Sequence, residues 1–383
     1  MQNRIPPVGR HISTHKSAGA PALSPSPSQC VLVNSGTEAL ALAIQSAISA
    51  DLRQTANPEI IIPGYCCPDL LSACLYAGAT PILVDLEPER PYMSLDKLLE
   101  AITPNTIAIV AVNFLGIPER INAIRDTINN PSILIIEDSA QWFPTSPGHF
   151  AIDNFQGDLV IVSFGKGKPV SLLGGGALFV RNELLEHHIT KPEPTTASLI
   201  SNITFVAKLL AYNTIITPYF YWLLETLPFV ELGSTRFHPL DTISSMKPEN
   251  KDYLGSNIES YQRQNNNTQD KLAEKLSKSG VIDLPARCET YSNQRLLRFP
   301  VLTKTPEQHD RVLTRLQALG CGASGLYPSA LPEIEGVSSI LTNKFSGLKY
   351  SSDFASRLVT LPTHPNVSEQ HLRTIFDVLN SPG

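Results

Sequence analysis

The feature that most constrains this chain is an alternation of two hydrophobic periods between Cys30 and Val180. Strand-length apolar runs stand at Val31-Leu32-Val33, Ile60-Ile61-Ile62, Pro81-Ile82-Leu83-Val84, Ile107 to Val112 and Ile133 to Ile136. Helix-period segments lie between most of them, at Glu38 to Ile48, Leu70 to Ala77, Leu95 to Ala101 and Ile121 to Ile128. Strand, helix, strand in repetition demands crossover connections and a mainly parallel sheet covered on both faces. Leu159 to Phe164 and Gly176 to Val180 bring the expected sheet to seven strands, an α/β fold.

The rest of the chain divides around this block. Residues 1–29, rich in Ser, Pro and Ala, read as an irregular arm, and 30–200 as the large α/β domain. Residues 201–250 form an apolar, proline-punctuated insert, and 251–383 a smaller α+β domain. In that last part Asn257 to Ser277, Pro306 to Leu319 and Ser368 to Leu379 read as helices, and Leu296 to Leu302 as a strand. The run from 203 to 232 is interrupted by Lys208, Asn213, Pro218 and Glu225, so no uncharged stretch reaches the ~18 residues a spanning helix needs. It reads as two apolar helices broken at Pro218 and buried against the body or a partner subunit. Contact with a membrane surface is the lesser reading, because its polar face is poor in Lys and Arg.

Composition narrows the partners. Lys plus Arg number 30 against 35 Asp plus Glu, which gives no bulk electrostatic reason to bind nucleic acid. The six cysteines contain no Cys-x-x-Cys pair, so neither a metal site nor a disulfide framework is indicated, and a reducing, cytoplasmic setting is expected.

Three motifs carry chemistry. Asn34-Ser35-Gly36-Thr37-Glu38 sits between a strand and a helix, where free N–H groups, the helix dipole and two hydroxyls suit a phosphate. An ordinary helix cap would need only Ser35 or Thr37. In Ile136-Glu137-Asp138-Ser139-Ala140-Gln141, Asp138 follows a parallel strand at the edge where such sheets hold ligands, and it needs a cationic or donor partner if buried. In Ser163-Phe164-Gly165-Lys166-Gly167-Lys168, followed by Gly174-Gly175-Gly176, a lysine could hold phosphate or act as a Schiff-base nucleophile.

In this order the three motifs resemble the DegT/StrS-type sugar aminotransferases, fold-type-I enzymes dependent on pyridoxal 5'-phosphate (PLP). Tyr76 to Asp85, Val112-Asn113-Phe114-Leu115-Gly116, Gly325-Leu326-Tyr327-Pro328 and Leu361-Pro362-Thr363-His364-Pro365 extend the resemblance over roughly Cys30 to Leu379. It implies Lys168 as the Schiff-base lysine, with Lys166 the internal competitor, and Asp138 against the pyridine nitrogen. It further implies Gln141 near the ring hydroxyl, and Gly36, Thr37 and Ser163, supported by Ser35, around the phosphate. The position where relatives stack an aromatic residue on the ring corresponds to Cys67, with Tyr65 two residues earlier. Where relatives lend an Asn from the neighbouring subunit, this chain has Ser234 and Thr235. The resemblance implies a homodimer that moves an amino group, with glutamate as donor, to a keto sugar, nucleotide-linked, in polysaccharide or secondary-metabolite biosynthesis. A PLP-dependent sugar dehydratase of the same fold and a catalytically silent PLP- or sugar-binding regulator are the alternatives. Relatives of the dehydratase kind carry histidine where this chain has Lys168.

Overall fold

The computed structural model describes residues 4–17, 23–146, 150–196, 198–225, 235–276, 280–290, 294–341 and 347–381. Seven strands form one sheet: β1 (Cys30–Val33), β2 (Glu59–Pro63), β3 (Thr80–Val84), β4 (Thr106–Val112), β5 (Leu134–Asp138), β6 (Leu159–Ser163) and β7 (Gly176–Val180). Their order is β1-β7-β6-β5-β4-β2-β3. The pairs from β3 through β6 are all parallel, whereas β7 is antiparallel to both β6 and β1. The reversal has a local cause: β6 returns into β7 through the glycine-rich turn, with no crossover helix between them.

Helices α1 (Gly36–Ala50), α2 (Asp69–Tyr76), α3 (Leu95–Ala101) and α4 (Ile121–Ile128) supply the parallel crossovers. One buried cluster joins Leu40, Ile44 and Leu71 to Ile60, Val110 and Ile136. Another, on the opposite face, joins Leu98, Ile121 and Ile124 to Ile61, Ile109 and Ile135. Neighbouring strand residues thus face opposite ways, and with helices on both sides the runs are apolar throughout rather than alternating. The expected mainly parallel seven-stranded α/β fold is present.

Beyond the sheet come α5 (Leu199–Ile215) and α6 (Pro218–Glu225), which break at Pro218 as anticipated. The end of the 203–232 segment, and Ser234 with it, lies outside the described residues. Of the α5 side chains, Phe205 and Leu209 are buried, joined by Ile216 just past its end. Leu199, Ile200 and Ile203 stand 82%, 78% and 71% exposed.

The expected continuous helix from Asn257 to Ser277 is not what forms. Helix α7 (Pro248–Gln262) ends, and α8 (Asn267–Leu276) begins after a turn. The guanidinium of Arg295 explains the break, because it donates to the Tyr261 and Gln264 carbonyls and to Asn266 Oδ1. The carbonyls of the α7 terminus are thereby satisfied without another helical turn. A three-stranded antiparallel sheet follows, with β8 (Ile282–Asp283), β9 (Arg298–Leu302) and β10 (Leu358–Pro362) in the order β10-β9-β8. It is packed by α9 (Leu284–Arg287), α10 (Pro306–Ala318), α11 (Lys349–Arg357) and α12 (Glu369–Asn380).

Among its described residues the arm has one short 3₁₀ turn, Pro27–Gln29, and it is tied down at several points. Ile5 N–H donates to the Gly320 carbonyl, and His364 Nε2 lies 2.9 Å from the Pro6 carbonyl. The Asn213 amide pairs with both the N–H and the carbonyl of Ile12, each at 2.8 Å.

Candidate active site

Parallel strands place their carboxyl ends on one edge of the sheet, and the chemistry gathers there. Asp138 closes β5 and Ser163 closes β6, while Gly36 opens α1 directly after β1. One pocket is lined by Gly36, Thr37, Cys67, Asp138, Gln141, Ser163 and Lys168, with Tyr65, Asp69 and Tyr327 completing its polar wall.

Seven of the eight residues singled out from sequence therefore converge. Ser35 stands apart. Its hydroxyl accepts the Glu38 N–H at 3.1 Å and donates to the Glu38 carboxylate at 3.2 Å, so it is the N-cap of α1. That capping leaves the N–H groups of Gly36 and Thr37, in the first turn, without an acceptor in the helix. Glu38 in turn accepts from the Ser244 N–H and hydroxyl, anchoring the chain beyond α6 beside β1.

Gly36 has a steric reason to be glycine. A Cβ there would fall 2.7 Å from Ser163 Cβ and 2.9 Å from its Oγ. The helix start and the strand end thus enclose a small cradle floored by N–H groups and edged by the Thr37 and Ser163 hydroxyls, the donor set a phosphate requires. Lys168 lines the pocket, whereas Lys166, two residues away, is exposed and does not.

The Asp138 carboxylate is buried, with Oδ1 accepting the Ala140 N–H at 2.9 Å. Burial raises its pKa, opposed by that N–H and by the Lys168 ammonium, and reinforced by Asp69 and Glu137. A cation in the pocket would reverse this balance in favour of the carboxylate. Gln141 is fixed at both ends: Oε1 accepts the Leu115 N–H at 2.7 Å, and Nε2 donates to the Tyr327 hydroxyl at 2.9 Å. One N–H of the amide remains for a ligand.

Burial pushes the Cys67 thiol up to about 12, with Asp69 adding to the shift and Lys168 opposing it. Cys67 is therefore a neutral packing group at neutral pH and no thiolate nucleophile. Tyr65 is held by its surroundings, since its hydroxyl donates to the Gly325 and Tyr327 carbonyls at 3.3 and 3.2 Å. Its ring meets those of Tyr327 and Phe354 edge-on.

Tyr327 and Asp69 were not legible as site residues from the sequence. Tyr327 lies in a stretch that carried the family resemblance, yet nothing local to it says that it reaches Gln141, 186 positions away. Among the described residues no group of three or more His, Cys, Asp or Glu side chains is placed to hold a metal.

A cradle of N–H and hydroxyl donors, a lysine and a buried aspartate on the carboxyl edge of a mainly parallel sheet define an α/β protein of the fold-type-I transferase class. The chain belongs to the DegT/DnrJ/EryC1/StrS aminotransferase family, which it matches over residues 26–217.

It is 30% identical over 180 residues to a dTDP-4-dehydro-2,3,6-trideoxy-D-glucose 4-aminotransferase from Saccharopolyspora spinosa, a match covering 47% of this chain and 45% of that enzyme. It is 32% identical over 146 residues to a UDP-N-acetyl-3-dehydro-alpha-D-glucosamine 3-aminotransferase from Acidithiobacillus ferrooxidans, covering 38% of each chain. These matches take in less than half of the relatives' own length. The fold likeness is broader. NtdA from Bacillus subtilis, solved with bound cofactor PMP, superposes with a TM-score of 0.63 at 19% identity, over 91% of this chain and 72% of that one. An aminotransferase from Psychrobacter cryohalolentis gives 0.63 at 18% identity, over 91% and 85%.

Proposed function

We propose that this chain is a PLP-dependent aminotransferase that moves an amino group from a donor, glutamate, to a keto sugar carried on a nucleotide. The observation that carries this reading is the convergence of Lys168, Asp138 and the Gly36–Ser163 cradle on one pocket. The named relatives act on dTDP- and UDP-linked sugars, and the pocket residues fit the cofactor that the fold class uses.

When bound, PLP would supply an aldehyde carbon that captures amines and a ring that takes up electrons released at the substrate carbon. The Gly36 and Thr37 N–H groups and the Thr37 and Ser163 hydroxyls would hold its phosphate. Asp138 would keep the proton on the ring nitrogen, and the free N–H of Gln141 would bind the ring hydroxyl. Lys168 would tether the cofactor through Nζ and, once displaced by the donor amine, move the proton at the substrate carbon. Phe114, Ile161 and Val112 on the pocket wall would exclude water from that transfer.

The working unit in this reading is a cytoplasmic homodimer of chains that each pair a large cofactor domain with a smaller C-terminal one. The uncovered face of α5 and α6 supports a second copy as its cover. A cavity lined by Ser35, Gly174, Ser201 and Lys208 opens between that face and the phosphate loop. Thr235 does not line the pocket of its own chain, so in this reading it acts across the dimer.

Borohydride reduction of the protein incubated with PLP, followed by peptide mapping, tests the assignment. Label is expected on Lys168, and none in Lys168→Ala. Label on Lys166, or no label, overturns it. Transfer of nitrogen from ¹⁵N-glutamate to a dTDP- or UDP-keto sugar tests the reaction itself.

A further inference from the structure

The N-terminal arm runs as a strap from the ends of α10 and β10 to α5 and α7, and it is held on both sides. At the first side the Ile5 N–H donates to the Gly320 carbonyl at 2.9 Å, and Asn366 Nδ2 donates to the Gly9 carbonyl at 3.2 Å. The His364 ring lies so close under Gly9 that a Cβ there would fall 2.8 Å from its Cε1. Arg10, next along the arm, is buried, with Arg298 and His364 nearby. At the second side Asn257 Oδ1 accepts the Ser13 N–H at 2.7 Å, and Lys16 pairs with Asp252 at 2.7 Å.

Between these anchors the strap passes the lysine turn. The Lys168 N–H donates to the Gly165 carbonyl at 3.3 Å, which closes the turn. Gly167 has a φ of 72°, a conformation that glycine adopts without strain. Val8 stands against it: a Cβ on Gly167 would lie 3.7 Å from Val8 Cβ and 3.8 and 3.9 Å from its two methyl carbons. The turn thus has the arm packed on Gly167, while the next residue, Lys168, lines the pocket.

Two neighbouring residues of α5 join the same parts. Asn213 binds both the N–H and the carbonyl of the buried Ile12, so its amide fixes the arm four residues beyond Val8. The Tyr212 hydroxyl faces the Ser171 hydroxyl and the Gly167 backbone; burial raises its pKa, and those two neighbours oppose the rise.

We propose that Val8 is a positioning residue for Lys168: the arm, fixed at Ile12 by Asn213, backs Gly167 and sets the direction from which the lysine enters the pocket. The assignment rests on the aminotransferase reading above. A turn with glycine at 165 and 167 has wide backbone freedom of its own, so its single conformation has to be imposed from outside. A lysine that is displaced and returns in every cycle gains from being aimed at one place. Val8 does this through an apolar contact that leaves the ammonium charge untouched.

The test follows the absorbance of PLP-loaded protein against pH, with the thermal midpoint measured on the same samples. The proton affinity of the lysine nitrogen bonded to the cofactor depends on where the lysine holds it against the ring, so this titration reads placement rather than stability. Val8→Gly and Asn213→Ala are each expected to move its midpoint by about half a pH unit or more, roughly threefold in the protonation constant, and Val8→Ile to keep the wild-type profile. Val8→Gly alters only a half-buried arm residue, so it decides the matter should Asn213→Ala fold poorly. An unmoved titration in Val8→Gly, even with a lowered thermal midpoint, overturns the proposal. So does an equal shift in Lys16→Ala, which frees the arm at Asp252 and leaves Val8 in place. Borohydride labelling of wild type is run in parallel: label on Lys168 with the titration unmoved in Val8→Gly sinks the positioning role alone, and no label sinks the cofactor reading.

Discussion

Gly36 and Ser163, 127 residues apart in the chain, come so close that a Cβ on Gly36 would sit 2.7 Å from Ser163 Cβ. The contact joins the first turn of α1 to the last residue of β6, and in the proposed reading the absence of a side chain on Gly36 leaves room for the cofactor phosphate. Gly36→Ala should therefore lower PLP affinity by at least about tenfold, the scale of losing one or two charge-assisted hydrogen bonds. Titration of the apo protein with PLP, followed by absorbance, reads this. Affinity equal to wild type would mean that the cradle does not hold the phosphate.

Tyr327 positions Gln141 rather than touching the reacting atoms by any contact shown. Tyr327→Phe leaves the buried Gln141 Nε2 one acceptor short, at a cost of about 1–2 kcal/mol in stability. The released amide should also weaken its hold on the ring hydroxyl. Chemical denaturation should show the stability loss, and the absorption spectrum of the loaded protein should shift with pH differently from wild type. A purely structural role would move only the first measurement.

His364 ties stability to pH. Its folded pKa of about 4 lies below the ordinary 6.5, so the unfolded chain binds a proton more readily. Stability is full above about 6.5 and falls as pH drops towards 4, by an amount on the order of 3 kcal/mol for a shift of this size. Urea unfolding midpoints from pH 7 to 4 should show this fall, and His364→Gln should flatten it. An unchanged slope in the variant would place the pH dependence elsewhere.

Ile203 and Leu210 stand 71% and 54% exposed on α5. If the proposed homodimer uses this face, the double change Ile203→Asp with Leu210→Asp should shift it from dimer to monomer in light scattering and leave the thermal midpoint at high dilution nearly unchanged. Trp222→Asp in α6 should act in the same direction. A dimer insensitive to all three changes would show that a different face makes the contact.

Much of this was legible in the chain before any coordinates. Uninterrupted apolar runs such as Ile107 to Val112 specify doubly covered strands. The spacing of Ser163 and Lys168 matched the family pattern, and Pro218 marked a helix break by chemistry that acts within a few residues. These are local rules, and they hold wherever the surroundings do not oppose them.

Other features had no local signature. The stop between α7 and α8 depends on Arg295, a side chain from about thirty residues further on that captures the Tyr261 and Gln264 carbonyls. The arm looked loose by composition, yet Asn213 and His364 hold it.

Motif and period together determined the sheet, its carboxyl edge and most of the candidate ligands of the cofactor, because backbone propensity and hydrophobic burial are written residue by residue. Only the tertiary structure brought Tyr327 to Gln141 and gathered Arg10, Arg298 and His364 under one strap. Those are meetings of groups far apart in the chain, decided by how layers pack and by which buried polar atoms find partners.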